Sequence, residues 1–266
     1  MNVILRFLVS ALTALAAWAS ASGCTSALVG ATATADGRML LWKHRDTGHQ
    51  ENFVDCVAAT DSTLAYVALF NAGDSLRREA WIGFNEAGFA VMNTASYNLA
   101  PDTARVRDRE GIVMTQALRR CRRFGDFTAL LDSAIASGPL GVQANFGAFD
   151  AEGDGGYVEC SDHTYSVYPL ALAPEGAIIR SNYSFSGGKE RRLGAVRQCD
   201  AEALLAEPLQ ERSVRPETFT EGLSRSFYHA DEGRDLSADG AMRVADRGEM
   251  IPRRISSASV VIEGPL

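Results

Sequence analysis

Short apolar runs, most of them bounded by turn-forming residues, recur along the chain after residue 24. Runs of this kind are typical of strands, and two runs that flank a tight turn are typical of a hairpin. Turns of this type lie at Asp36-Gly37, at 85–88 and at 152–156. The pattern predicts strands over 26–34, 39–42, 64–70, 81–84, 89–93, 145–150, 157–160, 164–168, 177–182 and 258–262.

Two segments in the middle of the chain have the apolar spacing of helices instead. The first covers 109–123 with Asp108 as its predicted N-cap, and Asp126 is predicted to cap the second. Further helices are predicted over 200–207 and 217–227. Because no linker or repeat interrupts the order of strands, helices, strands, helices and a last strand, the fold class predicted is α+β and layered.

The N-terminal segment has the layout of a secretory signal peptide. Arg6 supplies a positive charge, an apolar run follows over 7–18, and residues 19–23 are small. The run is short for a bilayer span, and no later segment is long and apolar enough. We therefore expect 1–23 to be a signal peptide and 24–266 a single exported domain, periplasmic or extracellular.

The cleavage position decides the chemistry that is available. Cleavage after Gly23 would leave Cys24 as the first residue, whereas cleavage after Ala21 would leave Ser22. The third interpretation is a lipoprotein, because residues 21–24 form a loose lipobox that would lead to acylation of Cys24.

Composition and charge narrow the range of partners. The 266 residues are 46% apolar and carry a net charge of −7, and no block rich in lysine and arginine persists. Nucleic acid is therefore not an expected partner. The four histidines lack metal-site spacing and the five cysteines contain no C-x-x-C pair, so neither a metal nor a cofactor is predicted. If four cysteines were paired, Cys24 would be the free one. The expected partner is a small-molecule substrate. The sequence leaves open whether the protein forms a homo-oligomer.

A cysteine at the very N-terminus can carry its own base. Its thiol is the nucleophile, and its α-amine, with an unperturbed pKa of about 7.7–8.0, can accept the proton. Such a site needs a carboxylate to orient the amine, a cation to favour the thiolate, and donors for an oxyanion. The segment 41–46, which includes Lys43 and Asp46, returns along the first hairpin and could supply the first two.

Several short elements resemble choloylglycine hydrolases and, more closely, acyl-CoA:6-aminopenicillanate acyltransferase-like proteins. Both groups are N-terminal nucleophile hydrolases, so the resemblance implies a four-layer αββα sandwich. It also implies a cysteine-dependent amidase or acyltransferase that acts on linear carbon–nitrogen amides, with an N-acyl amide or an acyl donor as substrate. The resemblance extends over most of 24–262, and its matching elements are Cys24-Thr25-Ser26, Asp36-Gly37-Arg38, Lys43 with Asp46, 85–93, Ser181-Asn182-Tyr183 and 224–227.

The resemblance also implies a role for each matching residue. Cys24 would be the nucleophile and Asp46 the carboxylate that holds the α-amine. Asn93 and Asn182 would stabilise the oxyanion, and Arg225 would be an active-site arginine.

Two departures from the family pattern and two competing readings accompany this assignment. Lys43 stands where bile-salt hydrolases carry arginine, and Arg45 is the alternative for that role; lysine lacks the planar fork of arginine. Family members continue with further strands, so C-terminal strands are expected to be missing unless this is a short member. A papain-type Cys24–His44 dyad and a non-catalytic lipoprotein or binding module are the competing readings. Substrate choice is expected to lie in loops such as 98–106 and 184–190.

Overall fold

The computed structural model describes residues 23–99, 107–239 and 249–266. The predicted signal peptide, apart from Gly23, and most of the 98–106 loop lie outside these ranges. The strands are β1 Thr25–Val29, β2 Leu40–Asp46, β3 Asn52–Val57, β4 Tyr66–Asn71, β5 Ile82–Asn85, β6 Ala90–Ala95, β7 Ala144–Phe149, β8 Gly155–Cys160, β9 Tyr165–Pro169, β10 Ala177–Arg180, β11 Tyr228–His229, β12 Arg234–Asp235 and β13 Ser256–Glu263. The α-helices are α1 Glu110–Arg120, α2 Phe124–Ala136 and α3 Ala195–Gln210.

Two antiparallel sheets form the centre of the domain. One has the order β10-β1-β2-β13, and the other is a seven-stranded meander from β3 to β9. β1 pairs with β2 on one side and with β10 on the other, so the segment that follows Cys24 is an inner strand. The first hairpin, predicted from the turn at Asp36-Gly37, is confirmed by this pairing.

Three separate apolar clusters show that the two sheets lie between two layers of helices. Phe127, which contacts Phe89 and Phe146, belongs to the cluster between the seven-stranded sheet and helices α1 and α2. Trp42 stacks on Phe219 in the cluster between the four-stranded sheet and α3. The third cluster joins the inner faces of the two sheets. The predicted αββα order is therefore confirmed.

Both predicted helix caps near the middle of the chain are wrong in position. Asp108 has a φ of +56°, and the residue that precedes α1 is Arg109, which makes no side-chain cap bond. Helix α2 begins at Phe124, and Asp126 lies inside its first turn. Its carboxylate accepts the main-chain N–H of Arg122 and of Arg123, so it satisfies donors ahead of the helix from within it.

Two other segments also differ from the prediction. The 217–227 region is not a regular α-helix but a π-helical turn, Thr218–Gly222, followed by a 3-10 turn, Leu223–Arg225. Its apolar residues Phe219 and Leu223 still pack against the four-stranded sheet. Strand β3 was not predicted, because it is an edge strand in which polar residues interrupt a short apolar run.

Candidate active site

The first hairpin places Cys24 beside the end of β2. Thr25 pairs with His44, and the main-chain N–H of Gly23 donates to the carbonyl of Asp46 at 3.2 Å. Cys24 is buried and lines a cavity of about 570 Å³ between the two sheets' ends. The cavity is also lined by Lys43, Arg45, Asp46, Thr47, His49, Asn71, Glu79, Trp81, Asn93, Ala95, Ser96, Tyr97, Arg107, Asp108, Glu110 and Gln143.

Asp46 is a buried carboxylate that is held from both sides. Its Oδ2 accepts bonds from Arg253 Nε at 2.9 Å and Nη2 at 2.6 Å, and its Oδ1 accepts the hydroxyl of Ser256 at 2.5 Å. Arg253 Nη2 also donates to the carbonyl of Gly23 at 2.7 Å. The carboxylate and the Gly23–Cys24 peptide are therefore brought together through one guanidinium.

Lys43 is a buried cation directed at the other sheet. Its Nζ donates to Asn93 Oδ1 at 2.7 Å and to the carbonyl of Trp81 at 2.8 Å. Burial lowers the pKa of Lys43 to about 8; the nearby Cys24 acts to raise that pKa, and Arg45 to lower it further. Lys43 is therefore placed to favour the thiolate of Cys24, and it keeps its charge only below about pH 8.

Arg45 holds a different position from Lys43. Its guanidinium donates to Asn71 Oδ1 at 2.7 Å and to Asn52 Oδ1, and it lies 4.9 Å from the centre of the Trp81 ring. Burial lowers the pKa of Arg45, while Cys24 raises it. Both cations thus interact electrostatically with Cys24, but only Lys43 donates a hydrogen bond to Asn93.

The two asparagines are oriented differently. Because Asn93 accepts from Lys43 through Oδ1, its amide N–H groups remain to donate. Asn182 accepts from Arg197 Nη2 through Oδ1 at 2.7 Å and donates from Nδ2 to the carbonyl of Ala95 at 2.9 Å. One amide hydrogen of Asn182 is therefore already bonded to a main-chain carbonyl. The expectation was that Asn93 and Asn182 would both donate to the oxyanion.

The carbonyl side of Asn182 points toward the start of the chain segment that carries Cys24. A Cβ added to Gly23 would lie 2.7 Å from Asn182 Oδ1 and 2.7 Å from Arg253 Nη2. The carbonyl oxygen of Asn182 therefore lies close to the residue that precedes Cys24.

Arg225 is not brought to this site. It lies exposed at the end of the 3-10 turn Leu223–Arg225, because Leu223 of that turn is buried in the core and Arg225 is left on the solvent side. It does not line the cavity. The arginines that contact the Cys24 segment are instead Arg197 and Arg253.

Sequence reasoning missed Arg197 and Arg253. Arg197 lies in the first turn of α3 and donates to the carbonyl of Cys24 at 3.0 Å and to Thr25 Oγ1 at 3.1 Å. The preceding Gly194 has a φ of +79°, and a Cβ there would lie 2.5 Å from Arg197 Nη2, so glycine permits this approach. Neither arginine belongs to a recognisable motif, although the Arg253-Arg254 pair lies shortly before the strand predicted over 258–262.

The alternative chemistry with His44 is not supported by the geometry. The Nε2 of His44 bonds to the hydroxyl of Ser256 at 2.9 Å, and Nδ1 has no partner among the described residues. No hydrogen bond joins His44 to the sulfur of Cys24 in the described part of the chain. The imidazole of His44 is thus bonded to Ser256, on the side of Asp46, and not to the Cys24 sulfur.

Apart from Cys24, the chain contains four other cysteines, at positions 56, 121, 160 and 199. All five cysteines are free. Burial raises the pKa of Cys121 and of Cys160 to about 12, so both remain thiols at neutral pH.

Within the described ranges, no cluster of histidine, cysteine, aspartate and glutamate side chains is arranged to hold a metal ion. Among the same residues, none of the helices has the length and apolar character needed to cross a bilayer.

A Lys43→Arg substitution is expected to move the alkaline limb of the pH–rate profile upward. Lysine with a pKa of about 8 loses its charge as the pH rises through that value, whereas arginine stays charged. The measurement is kcat/KM between pH 6 and 10 for the wild type and the variant, with Lys189→Arg as a surface control. An alkaline limb that is identical in all three proteins would contradict this role of Lys43.

Comparison with known proteins identifies the fold. No protein-family model matches the chain, and no curated protein matches it. Among solved structures, the Caenorhabditis elegans ortholog of N-acylethanolamine-hydrolyzing acid amidase superposes with a TM-score of 0.60 at 14% identity, over 90% of this chain and 92% of that chain. A variant of conjugated bile acid hydrolase from Clostridium perfringens (TM-score 0.48, 14% identity, 80% and 83% covered) and penicillin V acylase from Agrobacterium tumefaciens (0.39, 14%, 90% and 79%) are also similar. The first superposition shows that this chain has the N-terminal nucleophile hydrolase fold.

Proposed function

We propose that this protein is an exported cysteine-dependent amidase or acyltransferase that acts on linear carbon–nitrogen amides. The observation that carries the proposal is the position of the Gly23–Cys24 peptide, between the Asp46–Arg253 pair and a cavity lined by the Cys24 side chain. A carboxylate held at this peptide is what an N-terminal cysteine would need to orient its freed α-amine. The amidase with the same fold is named for the hydrolysis of an N-acyl amide, which supports this reaction class.

The first requirement is removal of the segment that ends at Gly23. A peptide nitrogen is not basic, so Cys24 gains a base only when its α-amine is free. In the mature protein, Asp46 would hold this amine. Lipidation of Cys24, the alternative fate of the same segment, would acylate the amine and leave no base.

The reaction then follows from the positions of three groups. The α-amine takes the proton of the Cys24 thiol, and the sulfur forms a bond to the carbonyl carbon of the substrate. The oxyanion accepts an N–H of Asn93, whose oxygen is fixed by Lys43. When the carbon–nitrogen bond breaks, the ammonium returns the proton to the leaving amine. Water then gives a proton to the α-amine and attacks the thioester. The carbon–sulfur bond breaks, the acid is released, and the ammonium returns the proton to the Cys24 sulfur. An acceptor amine in place of water gives acyl transfer.

The direct test is release of amine from a panel of substrates by the mature protein. The panel contains N-acylethanolamines, bile-acid conjugates, penicillins and short N-acyl amino acids, and Cys24→Ala serves as the background. We expect at least one class to be cleaved by the wild type and none by the variant. Equal and negligible amine release by both proteins across the panel would favour the binding-module alternative.

Asn93→Ala is expected to lower kcat about 10²–10³-fold and to change KM little. The amide N–H of Asn93 stabilises the substrate oxygen mainly when negative charge develops on it. Its loss therefore raises the free energy of the transition state more than that of the bound substrate. Steady-state kinetics on the best panel substrate measure both constants, with the exposed Gln210→Ala as a control. An increase in KM at unchanged kcat would assign Asn93 to substrate binding instead.

A further inference from the structure

The hydroxyl of Ser256 is a point where three hydrogen bonds meet. It lies 2.5 Å from Asp46 Oδ1 and 2.9 Å from His44 Nε2, and the main-chain N–H of Arg253 donates to it at 2.8 Å. The pairing of β13 with β2 places Ser256 opposite Asp46, and an irregularity in the register follows, because the next pair joins Ala258 to Arg45. Ser256 is thus located at the carboxylate that faces the Gly23–Cys24 peptide.

The number of protons in this cluster fixes the tautomer of His44. A hydroxyl has one proton, and Ser256 donates it to Asp46 Oδ1. Its oxygen must then accept from both other partners, which makes His44 Nε2 a donor. His44 Nδ1 is buried and has no partner among the described residues, so it carries the lone pair of the neutral ring.

The charges around the cluster agree with a neutral imidazole. Burial lowers the pKa of His44; Asp46 acts to raise it, and Arg197 and Arg253 act to lower it. The charged groups that face Asp46 are Arg253 from the segment before β13, Arg197 from α3 at 4.0 Å, and His44 from its own strand at 3.8 Å when protonated. Neutral His44 can therefore donate to Ser256 without competing for the carboxylate.

We propose that Ser256 and His44 are positioning residues for Asp46: His44 holds the Ser256 hydroxyl in the rotamer that donates to Asp46 Oδ1, and this bond fixes the carboxylate against the α-amine of Cys24. The inference rests on the proposed function, because it concerns the same reaction. Neither residue is among those that line the cavity at Cys24. Their effect on turnover passes through the orientation of Asp46 alone.

The first test compares Ser256→Ala with Ser256→Thr in the mature enzyme. Loss of one hydrogen bond to a charged group is expected to lower kcat about tenfold in the alanine variant. Because Asp46 then holds the ammonium less well, the pKa of the amine falls and the acid limb of kcat/KM moves to lower pH. Threonine keeps the hydroxyl and should restore both. Ser257→Ala changes the neighbouring residue of the same strand. It removes only a 3.4 Å bond to the main-chain carbonyl of Arg45 in β2, and it should leave the acid limb in place.

The second test is a double-mutant cycle between the two residues. His44→Leu removes the donor to Ser256, and His44→Gln replaces it with an amide N–H. If His44 acts only through Ser256, the double variant Ser256→Ala/His44→Leu is no slower than Ser256→Ala alone. Additive losses, or an acid limb that stays in place in Ser256→Ala, would overturn the positioning role.

The wild-type measurement separates this inference from the function on which it rests. If the wild type cleaves no amide of the panel, the proposed function fails. If the wild type is active and all of the Ser256 and His44 variants retain its pH profile, only the positioning role fails. A variant that merely unfolds would lower the amount of active protein without moving the acid limb, and thermal melting of each variant identifies that case.

Discussion

Replacing Cys24 by serine is expected to lower kcat/KM for amide cleavage by about 10³-fold or more, without unfolding the domain. A hydroxyl is a poorer nucleophile than a thiol at neutral pH. The side chain changes by one atom and stays buried beside Lys43, so the fold should be unaffected. Steady-state kinetics and a thermal melt measure the two effects separately.

The matched controls for this substitution are the exposed cysteines. Cys56 and Cys199 lie on the surface, and burial together with nearby carboxylates raises the pKa of Cys199. Serine at either position should leave the rate unchanged. Full activity of Cys24→Ser, or loss of activity in Cys199→Ser, would show that the nucleophile lies elsewhere.

Asp46→Asn is expected to be the second most damaging substitution, with a loss of about 10²–10⁴-fold in kcat. The amide keeps the shape of the carboxylate but loses the charge that binds the α-ammonium. An anion stabilises the protonated amine, so its removal lowers the pKa of the amine. The acid limb of kcat/KM should therefore move to lower pH while the plateau falls.

The control for Asp46 is a carboxylate that takes no part in the site. Asp61→Asn changes an exposed turn residue and should alter neither the plateau nor the limb. An Asp46→Asn variant with a lower plateau and an unmoved acid limb would mean that Asp46 supports the fold but does not hold the base.

Most of the fold could be predicted because its signals are local. Turn residues between apolar runs mark the hairpins, and helical apolar spacing marks α1 and α2. The misses occur where tertiary contacts override local preference: the edge strand β3 is stabilised by pairing with β4, and the turn Thr218–Gly222 is held by burial of Phe219. The layered order followed from the sequence of elements and from the resemblance.

The candidate site was predictable only where its residues are close in sequence or part of a motif. Cys24 and the 43–46 segment are joined by one hairpin, so their proximity follows from the turn. Arg197, Arg253 and Ser256 reach Cys24 or Asp46 from elements that are 150 or more positions away along the chain. Long-range packing determines such contacts, and no spacing in the sequence encodes them. Arg225 shows the converse, since its motif match does not place it in the cavity.

The most direct test of the central proposal is mass spectrometry of the mature protein, quenched during turnover of an amide or activated ester. The account predicts that the chain begins at Cys24 with a free α-amine and that the acyl group of the substrate forms a thioester on the Cys24 sulfur. Active protein that begins at Ser22, that carries a lipid on the Cys24 amine, or that is acylated on a different residue would contradict it.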